Sequence, residues 1–196
     1  MRILLFPLLL SLFAVPALAG EDERLLDLID GKCSFCHGLE GESSSDVFPM
    51  LAGQNARYIA KQLGDFKSGR RSGAMNEMVT DLAEEDMLPI GRYFAAKPPE
   101  AHHIEDQELA GVGRFLFHRG NEYTAIPPCS VCHGVDGGGT ERLPRLAGQH
   151  RQYIAIQLRA FNRRARTNDN AIMHTIAANL TDLEIEALAL YISGMK

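Results

Sequence analysis

The sequence contains no tryptophan and only four cysteines among its 196 residues. So few cysteines exclude a small scaffold that depends on many disulfides. Basic residues are also in the minority, because 20 Lys and Arg stand against 25 Asp and Glu. The chain therefore lacks the basic character typical of a nucleic-acid-binding domain. With 45% hydrophobic residues, the composition is that of an ordinary globular protein, whose length allows one large domain or two small ones.

The chain also lacks an apolar run long enough to cross a bilayer. The longest run, residues 3–15, has about 13 residues, whereas a spanning helix needs about 20. It follows the positive charge of Arg2 and is followed by the small residues of Ala17-Leu18-Ala19. This pattern is typical of a secretory signal peptide. We expect residues 1–19 to be removed on export, and an uncleaved membrane anchor is the alternative.

Two copies of one unit make up the rest of the sequence. Segments 51–66 and 146–161 are identical at ten of 16 positions, and both begin Leu-Ala-Gly-Gln. A Cys-x-x-Cys-His run precedes each segment, and Pro98-Pro99 interrupts the chain between the copies. Proline ends a helix and stiffens a connection. The predicted organisation is a first domain over residues 20–97, a linker over 98–104 and a second domain over 105–196.

Both units are predicted to be helical, which makes the fold class all-α. Apolar residues recur at helical spacing, and no segment alternates with the period of a strand. Thr181 and Glu184 form a capping-box pattern at the start of the last helix. The first unit has Ala83 at the equivalent cap position and Pro89 farther along, so we expect its last helix to start late or to kink. The helix faces predicted to be buried ahead of the Cys motifs contain Leu25, Leu26, Leu28 and Ile29, and Leu109, Val112, Leu116 and Phe117.

The two Cys-x-x-Cys-His runs match the attachment signature of c-type haem. Cysteines three residues apart on a helical turn point the same way, so both sulfurs can bond the vinyl groups of one porphyrin. The adjacent histidine can then ligate the iron. Two covalently bound haem c groups are the expected cofactors. The predicted attachment residues are Cys33, Cys36, Cys129 and Cys132, with His37 and His133 as the proximal iron ligands.

Two other uses of these cysteines have to be weighed. A structural zinc site would join cysteine pairs about 15–20 residues apart, and the pairs of this chain are much farther apart. Local disulfides or a thioredoxin-like redox pair would suit an exported protein, but neither requires a histidine after the second cysteine. The histidines and the signal peptide favour haem.

Met75 and Met173 occupy equivalent positions downstream of the two histidines and are the predicted sixth ligands. A thioether favours Fe(II), raises the potential and leaves no open position for a substrate. Met78 competes with Met75, but the second unit has no methionine at the corresponding position. His174 competes with Met173, but the first unit has Asn76 there.

Several residues are predicted to surround the haems. The carbonyl groups of Pro49 and Pro144 could accept the Nδ1–H of the proximal histidines; the alternative is a simple loop role. Tyr58 and Tyr153 each precede a glutamine by four residues on one helix face, so they could face a haem edge or its propionates. Ordinary helix packing is the alternative. The histidines predicted to be solvated are His102, His103, His118 and His150.

With both Cys motifs, both Leu-Ala-Gly-Gln blocks and both methionines, the chain resembles the dihaem cytochrome c4 family. The likeness covers essentially the whole mature sequence. It implies two class I cytochrome c domains related by a pseudo-twofold axis, with haem propionates near the domain contact. The implied axial pairs are His37 with Met75 and His133 with Met173. The resemblance further implies a periplasmic electron carrier of a respiratory chain, and no enzyme.

The expected partners of such a carrier are redox proteins. A quinol-oxidising complex or a dehydrogenase would lie upstream and a haem-copper terminal oxidase downstream, and the carrier would be a monomer, compatible with peripheral membrane association. One alternative is the dihaem subunit of a sulfide-oxidising flavocytochrome, whose sequence looks similar. Another, a dihaem peroxidase or thiosulfate oxidoreductase, needs an open or unusual sixth position, and the paired methionines argue against it.

Charge is distributed unevenly between the units. Residues 20–101 hold nine Lys and Arg against fifteen Asp and Glu, whereas residues 102–196 hold ten of each kind. Such a dipole can orient the approach of a charged redox partner. The acidic end is expected to carry Asp81, Glu84, Glu85 and Asp86, and the basic end Arg159, Arg163, Arg164 and Arg166.

Overall fold

The computed structural model describes residues 17–196, with side chains from residue 23 onward. Most of the predicted signal peptide lies outside the described residues, and only its last three residues belong to the first helix. Over the described residues ten α-helices follow one another: α1 (Ala17–Leu28), α2 (Ser34–His37), α3 (Ala56–Lys67), α4 (Met75–Met78), α5 (Glu84–Ala95), α6 (Gln107–Arg119), α7 (Ser130–His133), α8 (Arg151–Asn162), α9 (Ile172–Ala177) and α10 (Asp182–Ser193).

The all-α prediction is confirmed. From residue 17 to residue 196 the chain forms no strand, only one isolated antiparallel bridge between Asn121 and Ile126. A π-helical turn, Ile29–Cys33, joins α1 to α2, and a 3-10 turn, Glu122–Thr124, precedes α7. Within the same residues no helix has both the length and the apolar character needed to cross a bilayer.

The same order of helices occurs twice, in a first half (α1–α5) and a second half (α6–α10). Each half has its own apolar core, one built around Ile29, Val79 and Phe94 and the other around Phe117 and Leu188. In the second half α6 crosses α10 at Gly113, where a Cβ atom would overlap the carbonyl oxygen of Ala187. Glycine is therefore required for this close approach.

Two of the residues expected in the core are exposed. Leu26 is 54% exposed and Val112 is 45% exposed, because each lies at the border of the apolar stripe of its helix. Their neighbours Ile29, Leu116 and Phe117 are buried as predicted.

The last helix of the first half does not start late, and the kink at Pro89 that was the other expected outcome stays a prediction. It begins at Glu84, the position equivalent to Asp182, and continues through Pro89 to Ala95. Ala83 makes no side-chain cap. The acidic first turn, Glu84 to Asp86, instead stabilises the positive end of the helix dipole. In the second half the predicted capping box between Thr181 and Glu184 is present.

Candidate haem-binding sites

The two Cys-x-x-Cys-His runs fold into single helical turns, α2 and α7, that end at His37 and His133. A glycine with positive φ follows each histidine, at 74° for Gly38 and 84° for Gly134. Glycine adopts a positive φ without steric strain, so the turn can end directly after the histidine. Each half therefore presents two thiols and one imidazole on a single short turn.

Both histidines are buried and hydrogen-bonded at one ring nitrogen. His37 Nδ1 lies 2.9 Å from the carbonyl oxygen of Pro49, and His133 Nδ1 lies 3.2 Å from that of Pro144. Because a carbonyl can only accept, the proton of the neutral ring resides on Nδ1, which leaves the Nε2 lone pair for a metal. Burial lowers the pKa of both imidazoles, against the opposing effect of these bonds. The rings are therefore neutral at neutral pH, as metal ligation requires.

The state of the cysteines bears on the alternative uses. No disulfide joins any two of the four, all of which lie among the described residues. Burial raises the pKa of Cys33 and of Cys129 to about 11, whereas redox-active cysteines of the thioredoxin type have a lowered pKa. Across residues 17–196 no three side chains of His, Cys, Asp or Glu gather as a metal site would need. These observations argue against the zinc, disulfide and redox-pair alternatives.

The methionines lie on short helices that are anchored in the same way in both halves. Met75 begins α4 and packs against the core that Cys33 also contacts, and Met173 and Cys129 share the other core. Met78, by contrast, is 41% exposed. The exposure of Met78 therefore favours Met75 as the thioether that faces the first haem.

The residue after each methionine fixes the position of its helix. Asn76 Nδ2 donates to the carbonyl of Phe66 over 2.6 Å, and His174 Nδ1 donates to the carbonyl of Phe161 over 2.9 Å. His174 is thus engaged in holding the loop, which weakens it as a rival to Met173. An amide and an imidazole perform the same task at equivalent positions.

The donor set fits a covalently bound haem. In each half two thiols and a neutral imidazole stand on one turn, while a partly buried thioether packs against the same core. Imidazole and thioether are the axial ligands typical of electron-transfer haem c. Both donors recur at equivalent positions, so the fit holds for each half separately.

Tyr58 and Tyr153 join the two halves. Arg166 of the second half donates to the Tyr58 hydroxyl over 2.9 Å, and Arg71 of the first half donates to the Tyr153 hydroxyl over 2.9 Å. The two hydroxyl groups therefore form hydrogen bonds between the halves, in addition to the packing of their own helices. The predicted contact of the tyrosines with a haem edge stays a prediction.

Sequence reasoning missed the role of Arg71 and Arg166. Each lies 4.5 Å from the ring centre of a phenylalanine in its own half, and both donate to the Oε1 atoms of Gln62 and Gln157. Arg166 is buried, so its placement on an exposed basic end was wrong. The signal that could have found the pair is its spacing, since each arginine stands five residues after the last phenylalanine of a repeat block.

Two further predictions about surface residues were wrong. His150 is buried, with Nε2 2.9 Å from the carbonyl of Ser43 in the other half. His118 is hydrogen-bonded to the hydroxyl of Tyr191 at 2.8 Å. His103 is exposed as expected. Local sequence spacing gave no hint that His150 would face the opposite half.

Part of the charged set predicted for the two ends is engaged in ion pairs within its own half. Asp86 is buried against Arg24, and Arg159 pairs with Asp182 at 3.0 Å and with Glu186 at 2.9 Å. The exposed charges left from the predicted set are Asp81, Glu84, Glu85, Arg163 and Arg164.

Comparisons with known proteins agree with this geometry. The profile of the family described as "Cytochrome c" matches residues 117–196. Cytochrome c4 of Thiocapsa roseopersicina is 40% identical over 170 residues, which cover 85% of this chain and 88% of the relative. A protein of Stutzerimonas stutzeri named "Thiosulfate dehydrogenase electron acceptor" is 39% identical over 83% of this chain and 78% of its own length.

The fold matches as well as the sequence. The crystal structure of reduced recombinant cytochrome c4 from Pseudomonas stutzeri superposes with a TM-score of 0.82 at 37% identity, covering 89% of this chain and 98% of that one. The two repeated halves are thus class I cytochrome c folds, and the protein carries two covalently bound haem c groups. It transfers electrons and is not an enzyme. Sequence, fold and donor set together place the chain in the cytochrome c4 family.

Proposed function

We propose that Cys33 and Cys36 attach the first haem and Cys129 and Cys132 the second. The axial pairs are His37 with Met75 and His133 with Met173. The observation that carries this proposal is that the same arrangement of donors occurs in both halves. Each half holds a buried neutral imidazole bound at Nδ1 and a methionine packed on the same core. The domains are residues 20–97 and 105–196, with the linker 98–104 between α5 and α6.

Haem c supplies one-electron chemistry between Fe(III) and Fe(II). The methionine thioethers favour Fe(II) and so raise the potential. The carbonyl groups of Pro49 and Pro144 hold the imidazole rings and strengthen them as donors, which favours Fe(III). With both axial positions filled by side chains of this chain, no site is left for a substrate, as suits a carrier.

The carrier works in the periplasm, as the signal-peptide pattern of residues 1–19 supports. It accepts electrons from a quinol-oxidising complex or a dehydrogenase and delivers them to a haem-copper terminal oxidase. The exposed acidic residues of the first half and the exposed arginines of the second favour partners of opposite charge on the two sides.

The test combines the intact mass of the purified protein, its pyridine haemochrome spectrum and an anaerobic redox titration. We expect two haems on a chain that begins near Gly20, and two low-spin centres with methionine ligation. A native haem that is high-spin, or that readily binds added ligands, would overturn the assignment of the axial pairs.

A second candidate function is acceptance of electrons from a thiosulfate dehydrogenase. The relative named for this role is 39% identical, which favours it over the sulfide-oxidising flavocytochrome weighed from the sequence. Reduction by thiosulfate with its dehydrogenase should be compared with reduction by sulfide with a flavoprotein and by a quinol with its oxidising complex. The fastest of the three reactions identifies the donor.

A further inference from the structure

The glutamines of the two Leu-Ala-Gly-Gln blocks form reciprocal bonds between the halves. Gln149 Oε1 accepts from the backbone N–H of Met50 over 2.8 Å, and its Nε2 donates to the Met50 carbonyl over 2.9 Å. Gln54 holds Arg145 in the same way, at 2.8 Å and 2.9 Å. Both glutamines are buried, at 7% exposure for Gln54 and 6% for Gln149. Each therefore binds both backbone groups of one residue in the opposite half.

The residue held in each case directly follows the proline that binds the proximal histidine. The Pro49 carbonyl and the Met50 N–H belong to one planar peptide group. This group accepts the His37 Nδ1–H at its oxygen and donates its own N–H to Gln149. Through the equivalent group, His133 is linked by Pro144 and Arg145 to Gln54. Each proximal histidine is thus one peptide group away from a glutamine of the other half.

Such a chain has an electronic and a geometric effect. An amide that donates its N–H becomes a better acceptor at its oxygen, because hydrogen bonds in a chain polarise one another. A stronger acceptor makes the imidazole a stronger donor to iron and fixes the ring orientation. Both effects stabilise Fe(III) relative to Fe(II).

We propose that Gln149 is a positioning residue for His37 and that Gln54 is one for His133, so that each half adjusts the reduction potential of the haem in the other half. The proposal rests on the axial ligands assigned above. It gives the Leu-Ala-Gly-Gln blocks a role in electron transfer.

The test replaces each glutamine by methionine, which has a similar volume and removes both hydrogen bonds. Gln149→Met should raise the potential of the first haem and leave that of the second unchanged, and Gln54→Met should do the reverse. We expect the ratio of oxidised to reduced haem at fixed potential to change by about threefold to tenfold; tenfold corresponds to about 59 mV for one electron. Gln149→Asn, whose shorter side chain cannot keep both bonds, should give a shift in the same direction.

The haems must be titrated separately. In a Met173→His background the potential of the second haem falls, so the high-potential step of the titration reports on the first haem. A Met75→His background isolates the second haem in the same way. Asn55→Ala is the matched control. Asn55 Nδ2 donates across the same contact to the Leu143 carbonyl over 2.7 Å. It bonds neither the Pro49–Met50 nor the Pro144–Arg145 peptide group, so both potentials should stay unchanged.

The outcomes separate this proposal from the one on which it rests. A wild-type protein without two His/Met haems would contradict the axial assignment itself. With that assignment intact, the Gln149→Met protein tests the glutamine proposal, provided that it carries both haems. The proposal is wrong if the substitution shifts the potential of the second haem, shifts both potentials equally or shifts neither. A shift equally produced by Asn55→Ala would also overturn it, because loosening of the contact would then suffice.

Discussion

At the scale of single residues, exposure distinguishes the two methionines that compete for the first haem. Met75 packs against the core and Met78 is largely in solvent. Met75→His should lower the potential of the first haem and remove its share of the far-red absorption band of methionine-ligated ferric haem, because imidazole favours Fe(III) more than a thioether does. Redox titration with absorption spectroscopy measures both effects.

Met78→Leu is the matched control for this experiment. It removes the other candidate thioether while keeping an apolar side chain of similar volume, so band and potential should stay unchanged. Loss of half of the band in Met78→Leu, with the band intact in Met75→His, would assign the ligand to Met78 instead.

At the scale of helices, the two halves differ in how their last helix is capped. The hydroxyl of Thr181 accepts from the Glu184 N–H, whereas Ala83 offers no side-chain oxygen. Thr181→Ala should destabilise the second half by about 1 kcal/mol, and Ala83→Ser should stabilise the first by about 0.5–1 kcal/mol, since the backbone of Ala83 is already extended as a cap requires. Denaturant unfolding of the holoprotein measures both changes in the free energy of unfolding. The argument would be refuted if both substitutions stabilised the protein or both destabilised it.

The capping box also has a pH dependence. Burial would raise the pKa of Glu184, but hydrogen bonds from the backbone and hydroxyl of Thr181 outweigh it and lower the pKa. A carboxyl group with a lowered pKa stabilises the fold above its ordinary value of 4.5, and this contribution is lost as the pH falls through the folded-state pKa. The stability difference between Glu184→Gln and the wild type should therefore shrink on acidification, as unfolding curves at several pH values would reveal.

The local spacing of residues in the sequence predicted the helices well and the contacts between the halves poorly. The spacing of Tyr58, Ile59 and Leu63 predicts α3 because helical periodicity is a property of neighbouring residues. Nothing in that spacing says which half a side chain faces. His150 and Arg166 were therefore expected in solvent, although both are buried against the other half. Comparing equivalent polar residues between the repeats would have identified the arginine and glutamine pairs, but not their partners.

At the scale of the whole molecule, the contact between the halves is polar and depends on buried arginine. Arg166 donates to Tyr58 and Gln62 across the contact and to Gln157 within its own half. Removing one partner from a buried hydrogen-bond network leaves the others unsatisfied, at a cost of about 1–3 kcal/mol for each buried group. Arg166→Gln should therefore weaken the coupling of the two halves more than it weakens either core.

Calorimetry of the holoprotein can measure this coupling. If the contact makes the halves unfold together, the wild type gives one thermal transition and Arg166→Gln gives two, or one that is clearly broadened. Arg163→Gln removes the same charge from an exposed position of the same segment and should leave the transition unchanged. Identical curves for the two variants would mean that net charge, and not the bonds of Arg166, stabilises the contact. The hydrogen bonds of Gln54 and Gln149 lie in the same contact. Separation of the halves in Arg166→Gln should therefore also raise both haem potentials, because the peptide group that binds each proximal histidine would lose its hydrogen bond to the glutamine of the opposite half.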